Sequence, residues 1–322
     1  MSAARSAPVA DPRDRAQFRA ETDASGRFVR QASRFRDRVT ADGSSGYRAE
    51  PGRYHLYVSR ACPWAHRAII VRRLKRLEDV VSMSVVDPVR DERGWAFRPG
   101  RGHGEDPLNG FALLSEAYVA TDAGFSGRIT VPVLWDRESG RIVNNESADV
   151  IRMLNSEWDE WGDASVDLYP PDLREEIDRI NTVVYRTVNN GVYRAGFATT
   201  QHAYEEAFDA LFATLDHLDR LLGERRYLAG DRVTEADWRL FTTLVRFDAV
   251  YALHFKCNLR RVVDYGRLWP YVRELYQWPG VADTVDMDHI KRHYYLTHGS
   301  INPTGIVPKG PRTDFTLPHG RG

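Results

Sequence analysis

Residues 54–58 (Tyr-His-Leu-Tyr-Val) make a short apolar run, and a Cys-Pro pair at 62–63 opens a basic amphipathic stretch over 63–77. A second apolar run follows at 80–86. Strand, helix and strand at this spacing dictate a βαβ unit with parallel pairing, since only a crossover of that length returns the chain alongside its first strand. Pro63 falls on the first helical position, where a missing N–H is no loss. Cys62 therefore stands at a helix N-terminus, among unpaired N–H groups and at the positive end of the dipole. Both favour the thiolate, the nucleophilic form of sulfur. The sequence is built to present Cys62 as an activated nucleophile.

The rest of the chain extends this unit. Residues 1 to about 50 are polar, rich in Arg and Asp, and read as an extended arm draped over the body with little structure of its own. Residues 87–128 are too long for a plain connection and are expected to be functional or to carry a helix, for which 115–120 is the candidate. A strand resumes at 131–135, a hairpin partner follows at 141–143, and a helix opens over 145–154. That order is the order of a thioredoxin-like domain.

The second half changes character. Leu173, Ile177, Ile180, Val184 and Val188 fall on one helical stripe, and Tyr204, Phe208, Leu211, Leu215, Leu218 and Leu222 on another. Thr234-Glu235-Ala236-Asp237 has the form of an N-capping box, and Leu240, Leu244, Phe247 and Tyr251 continue the buried face of that helix. The expected architecture is an arm over 1–50, a thioredoxin-like α/β domain over 51–160, an all-helical domain over 161–297 and a tail over 298–322. Residues 161–172, with Pro170-Pro171, read as the linker.

Composition narrows the function. Among 322 residues, Lys+Arg and Asp+Glu balance at 45 each, so no overall field draws the chain to nucleic acid or to a membrane surface. The start of the chain has no apolar run and reads as neither signal peptide nor anchor, and no stretch approaches a membrane span. Two cysteines in unrelated contexts exclude a disulfide framework and point to a reduced compartment, with the cytoplasm expected. Two cysteines and ten scattered histidines show no metal-ligand spacing, and no phosphate loop or dinucleotide fingerprint occurs.

Cys62 has Trp64 and Ala65 where a second cysteine would allow internal disulfide exchange, so a monothiol must be resolved by an external thiol. Cys257 sits in an expected helical context over 251–259 and reads as packing. His66 shares the helical face of Cys62 and reads as a residue satisfying a hydrogen bond rather than as part of the catalytic set.

At this point the residues resemble a family. A thioredoxin-like domain followed by helices with Tyr227-Leu228-Ala229-Gly230-Asp231 and Thr234-x-x-Asp237 resembles the cytosolic glutathione transferases. Cys62-Pro63-Trp64-Ala65-His66-Arg67 resembles the signature of the glutathionyl-hydroquinone reductases, the Xi class. Gly94-Trp95-Ala96-Phe97, Asn144-Asn145-Glu146-Ser147, His293-Tyr294-Tyr295, Ile301-Asn302-Pro303 and Ile306-Val307-Pro308 match as well, in order, over roughly residues 30–312.

The resemblance implies a cis bond before Pro132, turning the Val131 backbone toward a bound tripeptide. It implies glutathione contacts from Trp95, Arg128, Val131, Glu146 and Ser147. Arg128 supplies a cation for a carboxylate, and Glu146 suits the ammonium. Ser147, at a helix N-terminus, suits the γ-glutamyl carboxylate or simple capping. Tyr193, Tyr251 and Tyr294 match the tyrosines placed around the hydroquinone, with Tyr295 competing for the last assignment; phenols suit ring hydroxyls or a developing oxyanion.

The implied activity is reduction of glutathionyl-hydroquinones to hydroquinones by glutathione, through a Cys62–glutathione mixed disulfide, in a homodimer without metal or nucleotide. Two other readings remain open. One is an omega-like thiol transferase or dehydroascorbate reductase, which the Cys-Pro junction fits equally well. The other is a non-catalytic glutathione-fold interaction module, which has no need of a low-pKa cysteine.

Overall fold

The computed structural model describes residues 21–321, so the first twenty residues of the expected arm lie outside the described part. A four-stranded sheet has the order β2-β1-β3-β4, with β1 (Tyr54–Val58), β2 (Ser82–Val85), β3 (Val133–Asp136) and β4 (Arg141–Asn144). The β1–β2 pair is parallel, with His55 opposite Ser82, and the other two pairings are antiparallel. Every residue of β1 is buried, so the strand is apolar throughout instead of alternating. Helix α1 (Pro63–Leu74) makes the crossover and packs on α3 (Ser147–Ser156), while α2 (Ser115–Thr121) packs on β4. The elements expected between residues 54 and 154 all occur. Their edges shift: α1 stops at Leu74, β2 opens at Ser82, and Val131-Pro132 precede β3 rather than open it.

The helical half contains α4 (Arg174–Val184), α5 (Gly191–Gly196), α6 (Gln201–Leu221), α7 (Glu235–Arg246), α8 (Leu268–Tyr276) and α9 (Met287–Thr297). Helix α7 is buried along its whole length. Its N-terminus is closed by the expected capping box, with the buried Asp237 carboxylate accepting from the backbone N–H and hydroxyl of Thr234. The same carboxylate accepts from Leu228 N–H and Tyr271 O–H, which ties the Tyr-Leu-Ala-Gly-Asp loop and α8 to α7.

Two stripes do not stay α-helical to their ends. Residues Tyr185–Asn189 and Phe247–Tyr251 each form a π-helical turn, which inserts one residue and swings the following side chains around the axis. The expected helix around Cys257 is absent. The helical turn ends at Tyr251, the chain turns over 252–255, Lys256 has a positive φ of 58°, and Cys257 is buried in an irregular segment beyond it.

The arm from residue 21 onward and the tail up to residue 321 are extended but packed. Phe28 of the arm lies 5.5 Å from the Phe197 ring and 6.5 Å from Tyr193. In the tail, Phe315 packs on Trp269 and Tyr276, and Arg321 pairs with the buried Glu274 at 2.6 Å. Among the described residues no helix is long and apolar enough to cross a membrane.

Five buried histidines are held neutral. Burial depresses His66 and His298 far below the ordinary imidazole value, lowers His55 and His254 to about 4, and lowers His293 to about 3. Because the unfolded chain binds these protons first, stability is complete above about pH 6.5 and is lost as pH falls toward 4. Urea unfolding should therefore lose at least about 3 kcal/mol between pH 7 and pH 5. A flat profile over that range would show that these imidazoles are not sealed in the fold.

Candidate active site

Cys62 is the N-cap of α1, with extended backbone (φ −77°, ψ 123°) and Pro63 behind it at the first helical position. The chain has to leave β1, turn and enter the helix within four residues, and this puts the thiol at the C-terminal edge of the sheet. Cys62 is half-buried, and its S–H points at the Val131 carbonyl, 3.6 Å from Sγ. The Val131–Pro132 bond is cis. The sulfur opens into a cleft that it shares with Trp64, Trp95, Tyr193 and Tyr294.

An arginine from the helical half fixes this junction. Arg246, the last residue of α7 and fully buried, donates to the carbonyls of Arg60 (2.9 Å) and Ala61 (3.0 Å), and to Thr242 of its own helix (2.7 Å). His66 lies 3.0 Å from it and bonds Thr284 at 2.8 Å. The imidazole faces the helical layer and not the sulfur, in agreement with the bonding role expected for it.

The three tyrosines converge. The Tyr294 hydroxyl sits between those of Tyr193 (2.5 Å) and Tyr251 (2.9 Å). Burial raises all three above the usual phenol range, so they are neutral hydrogen-bonding groups at physiological pH. Tyr193 and Tyr294 face the cleft, whereas Tyr251 is fully buried behind them and reaches it through Tyr294. Tyr295 turns away, its hydroxyl donating to Ala249 O at 3.1 Å. The two π turns help set this arrangement, since one precedes α5, which carries Tyr193, and the other ends on Tyr251. Gly196 permits the close floor beneath it: a Cβ there would lie 2.2 Å from the Phe255 ring.

The remaining expected residues divide between two lobes joined along Val131. Glu146 caps α3, accepting from Ala148 N–H (3.2 Å) and from the Ser33 hydroxyl of the arm (2.9 Å). Ser147 follows it, and its hydroxyl accepts from the buried Arg67 at 3.3 Å. Both line the smaller lobe with Trp64 and Val131. Trp95 and Arg128 lie in the Cys62 lobe. The Trp95 ring stacks on His293 with centroids 5.0 Å apart, and Arg128 pairs with Glu21 of the arm.

Several cleft residues were not singled out from the sequence. His293 donates through Nδ1 to the Pro88 carbonyl at 2.7 Å, which leaves the other ring nitrogen as an acceptor. His298 also lines the cleft, with its Nδ1 3.1 Å from His254 Nε2. Arg30 of the arm and Arg90 of the 87–128 segment face the same space. His293 lay inside a quoted motif, but the arginines had no local signal in a chain so rich in them.

Comparison with known proteins gives the family. Residues 61–157 match the glutathione S-transferase N-terminal domain and residues 201–274 the C-terminal domain. Glutathionyl-hydroquinone reductase YqjG of Escherichia coli is 52% identical over 303 residues, covering 92% of each chain. Glutathionyl-hydroquinone reductase PcpF of Sphingobium chlorophenolicum is 55% identical over 286 residues, covering 89% of this chain and 90% of that one. The glutathione-bound structure of YqjG superposes with a TM-score of 0.87 at 51% identity, covering 89% of this chain and 96% of that one. The Xi-class enzyme from Natrialba magadii gives 0.89 at 53% identity, covering 90% and 89%. The chain belongs to the glutathionyl-hydroquinone reductases, the Xi class of the glutathione transferase family.

Proposed function

We propose that this chain reduces glutathionyl-hydroquinones to hydroquinones with glutathione as the thiol co-substrate. The observation that carries the reading is the placement of one reachable sulfur, Cys62, in a cleft also faced by the hydroxyl-linked Tyr193 and Tyr294. The other cysteine is buried away from it.

The chemistry balances in two steps. The ring carbon bearing sulfur takes a proton as the hydroquinone shifts to its keto form, with Tyr193 and Tyr294 holding the carbonyl oxygen. Cys62 thiolate attacks the glutathione sulfur and the carbon–sulfur bond breaks. Its electron pair returns to the ring, restoring aromaticity as a phenolate. A second glutathione then gives its proton to that oxygen and attacks the Cys62–glutathione disulfide, releasing oxidised glutathione and the thiolate. Tyr251 acts as a positioning residue through Tyr294. Trp95, Val131, Glu146 and Ser147 hold the tripeptide, and Arg128 was expected to bind one of its carboxylates. The arm (1–50), thioredoxin-like (51–160), helical (161–297) and tail (298–322) divisions are proposed as its working units. The enzyme is proposed to act as a homodimer in the cytoplasm.

A second reading has its own support. A relative from Schizosaccharomyces pombe, 46% identical over 294 residues, carries the name glutathione S-transferase omega-like 2, and transfer to dehydroascorbate or small disulfides needs only the Cys62 half of the site. Assaying both substrate classes separates the two.

Cys62→Ala should fold normally and lose hydroquinone release by about 10³-fold or more. Incubation of the unaltered protein with substrate alone should leave a single glutathione adduct on Cys62 by mass spectrometry. Turnover in a folded Cys62→Ala protein refutes the mechanism. Tyr294→Phe should lower kcat by about 10²-fold on glutathionyl-hydroquinones while sparing reduction of a simple glutathione mixed disulfide, which has no ring oxygen to hold. Equal losses on both would move Tyr294 from the ring to the fold.

A further inference from the structure

A second cavity, of about 290 Å³, lies under the tail and shares no lining residue with the Cys62 cleft. Its volume is at the lower end for small-molecule sites, roughly 300 Å³. Asp248 and Ala249 of the π turn that ends on Tyr251 line it. The Ala249 carbonyl accepts from the Tyr295 hydroxyl at 3.1 Å, so the cavity backs onto α9 behind the tyrosine cluster.

The tail forms one wall without filling the space, because it is pinned on either side of residues 310–314. Lys291 Nζ donates to the Lys309 carbonyl at 3.0 Å, and Gln277 Nε2 donates to the carbonyls of Phe315 (2.8 Å) and Leu317 (2.7 Å). Val245, Val262, Trp269 and Phe315 make the apolar side. Lys291, Lys309 and Arg312 bring three positive charges to the same cavity.

The neighbouring carboxylates are committed elsewhere. Asp288, one turn before Lys291, pairs with Arg292 at 3.7 Å. Asp314 accepts from the backbone N–H and hydroxyl of Thr316, at 2.9 and 2.6 Å. Asp248, the acidic residue of the lining, accepts from the N–H groups of Val262 (2.6 Å) and Val263 (3.2 Å). Among the described residues, none of the three cations has a carboxylate within ion-pair distance. Two half-buried rings, Trp269 and Phe315, suit a flat apolar body, and three cations suit one anionic head, which a lysine meets as a point charge and Arg312 as a fork. We propose that this cavity binds a small aromatic carboxylate, at a site separate from the one that holds glutathione and the hydroquinone ring.

The test is equilibrium dialysis of the full chain against 2-naphthoate and against 2-naphthamide, which has the same rings and no charge. The Cys62 cleft is kept filled by excess S-benzylglutathione. The unaltered chain should bind one naphthoate, at least about tenfold more tightly than the amide. The combined variant Lys291→Gln, Lys309→Gln, Arg312→Gln changes only half-buried and exposed side chains, so it should fold, and it should bind both compounds within about twofold of each other. Removing three exposed cations elsewhere, with Arg38→Gln, Arg186→Gln and Arg220→Gln, should leave the preference intact. The proposal is overturned if the unaltered chain binds no naphthoate with the cleft filled, if it does not prefer the acid to the amide, if the first variant keeps the tenfold preference, or if the second loses it. Absence of naphthoate binding together with altered sedimentation of the first variant would give this face to a second copy of the chain instead.

Discussion

The buried cation Arg246 joins the two halves of the molecule at the point where chemistry is expected. It sits on the last turn of α7, where the helix dipole favours positive charge, and it takes carbonyl groups from Arg60 and Ala61 directly ahead of Cys62. Those carbonyls would otherwise be stranded in a tight turn between strand and helix, and the guanidinium would be stranded without them. The position of the sulfur is thus set jointly by the sheet below and the helical layer above.

Around that fixed sulfur the charge is distributed by segment. The side chains that α5 and α9 turn toward it are neutral phenols and imidazoles, kept so by burial. The cations come from the arm and from the segment between β2 and β3, in the form of Arg30, Arg90 and Arg128. A neutral wall suits an aromatic ring whose oxygen changes charge during reaction, because it offers hydrogen bonds without fixing a counterion. A cationic rim suits a tripeptide that carries a net negative charge.

Much of this was legible in residue order. The Cys-Pro junction, the apolar runs flanking it and the Thr234/Asp237 box act through local physics, since each satisfies its backbone groups within a few residues. The thioredoxin-like order of elements followed from the first two, and the helical half from its apolar periodicity. The π turns after Val184 and Arg246 were not legible. Periodicity assigns Val188 and Tyr251 to uninterrupted helices, and a one-residue insertion that points side chains at a cleft is decided by tertiary packing. The same holds for Cys257, where the helix that the pattern would continue already ends at Tyr251. Arg90 is the clearest case. Nothing near it in sequence distinguishes it from its many fellow arginines, and only the fold reveals that its guanidinium has no carboxylate partner among the described residues. Trp95, five residues on, was noticed because a large aromatic in a polar segment is rare.

Phe28 packing on Tyr193 and Phe197 also bears on how such a protein can diversify. The wall of the cleft is assembled from stretches far apart along the chain: one before the first strand, one inside the thioredoxin-like half, and two from the helical half. An exchange of whole halves between lineages would therefore separate pieces that only function together. A change in ring specificity is therefore expected to come more readily from single substitutions in these stretches than from replacement of any one of them.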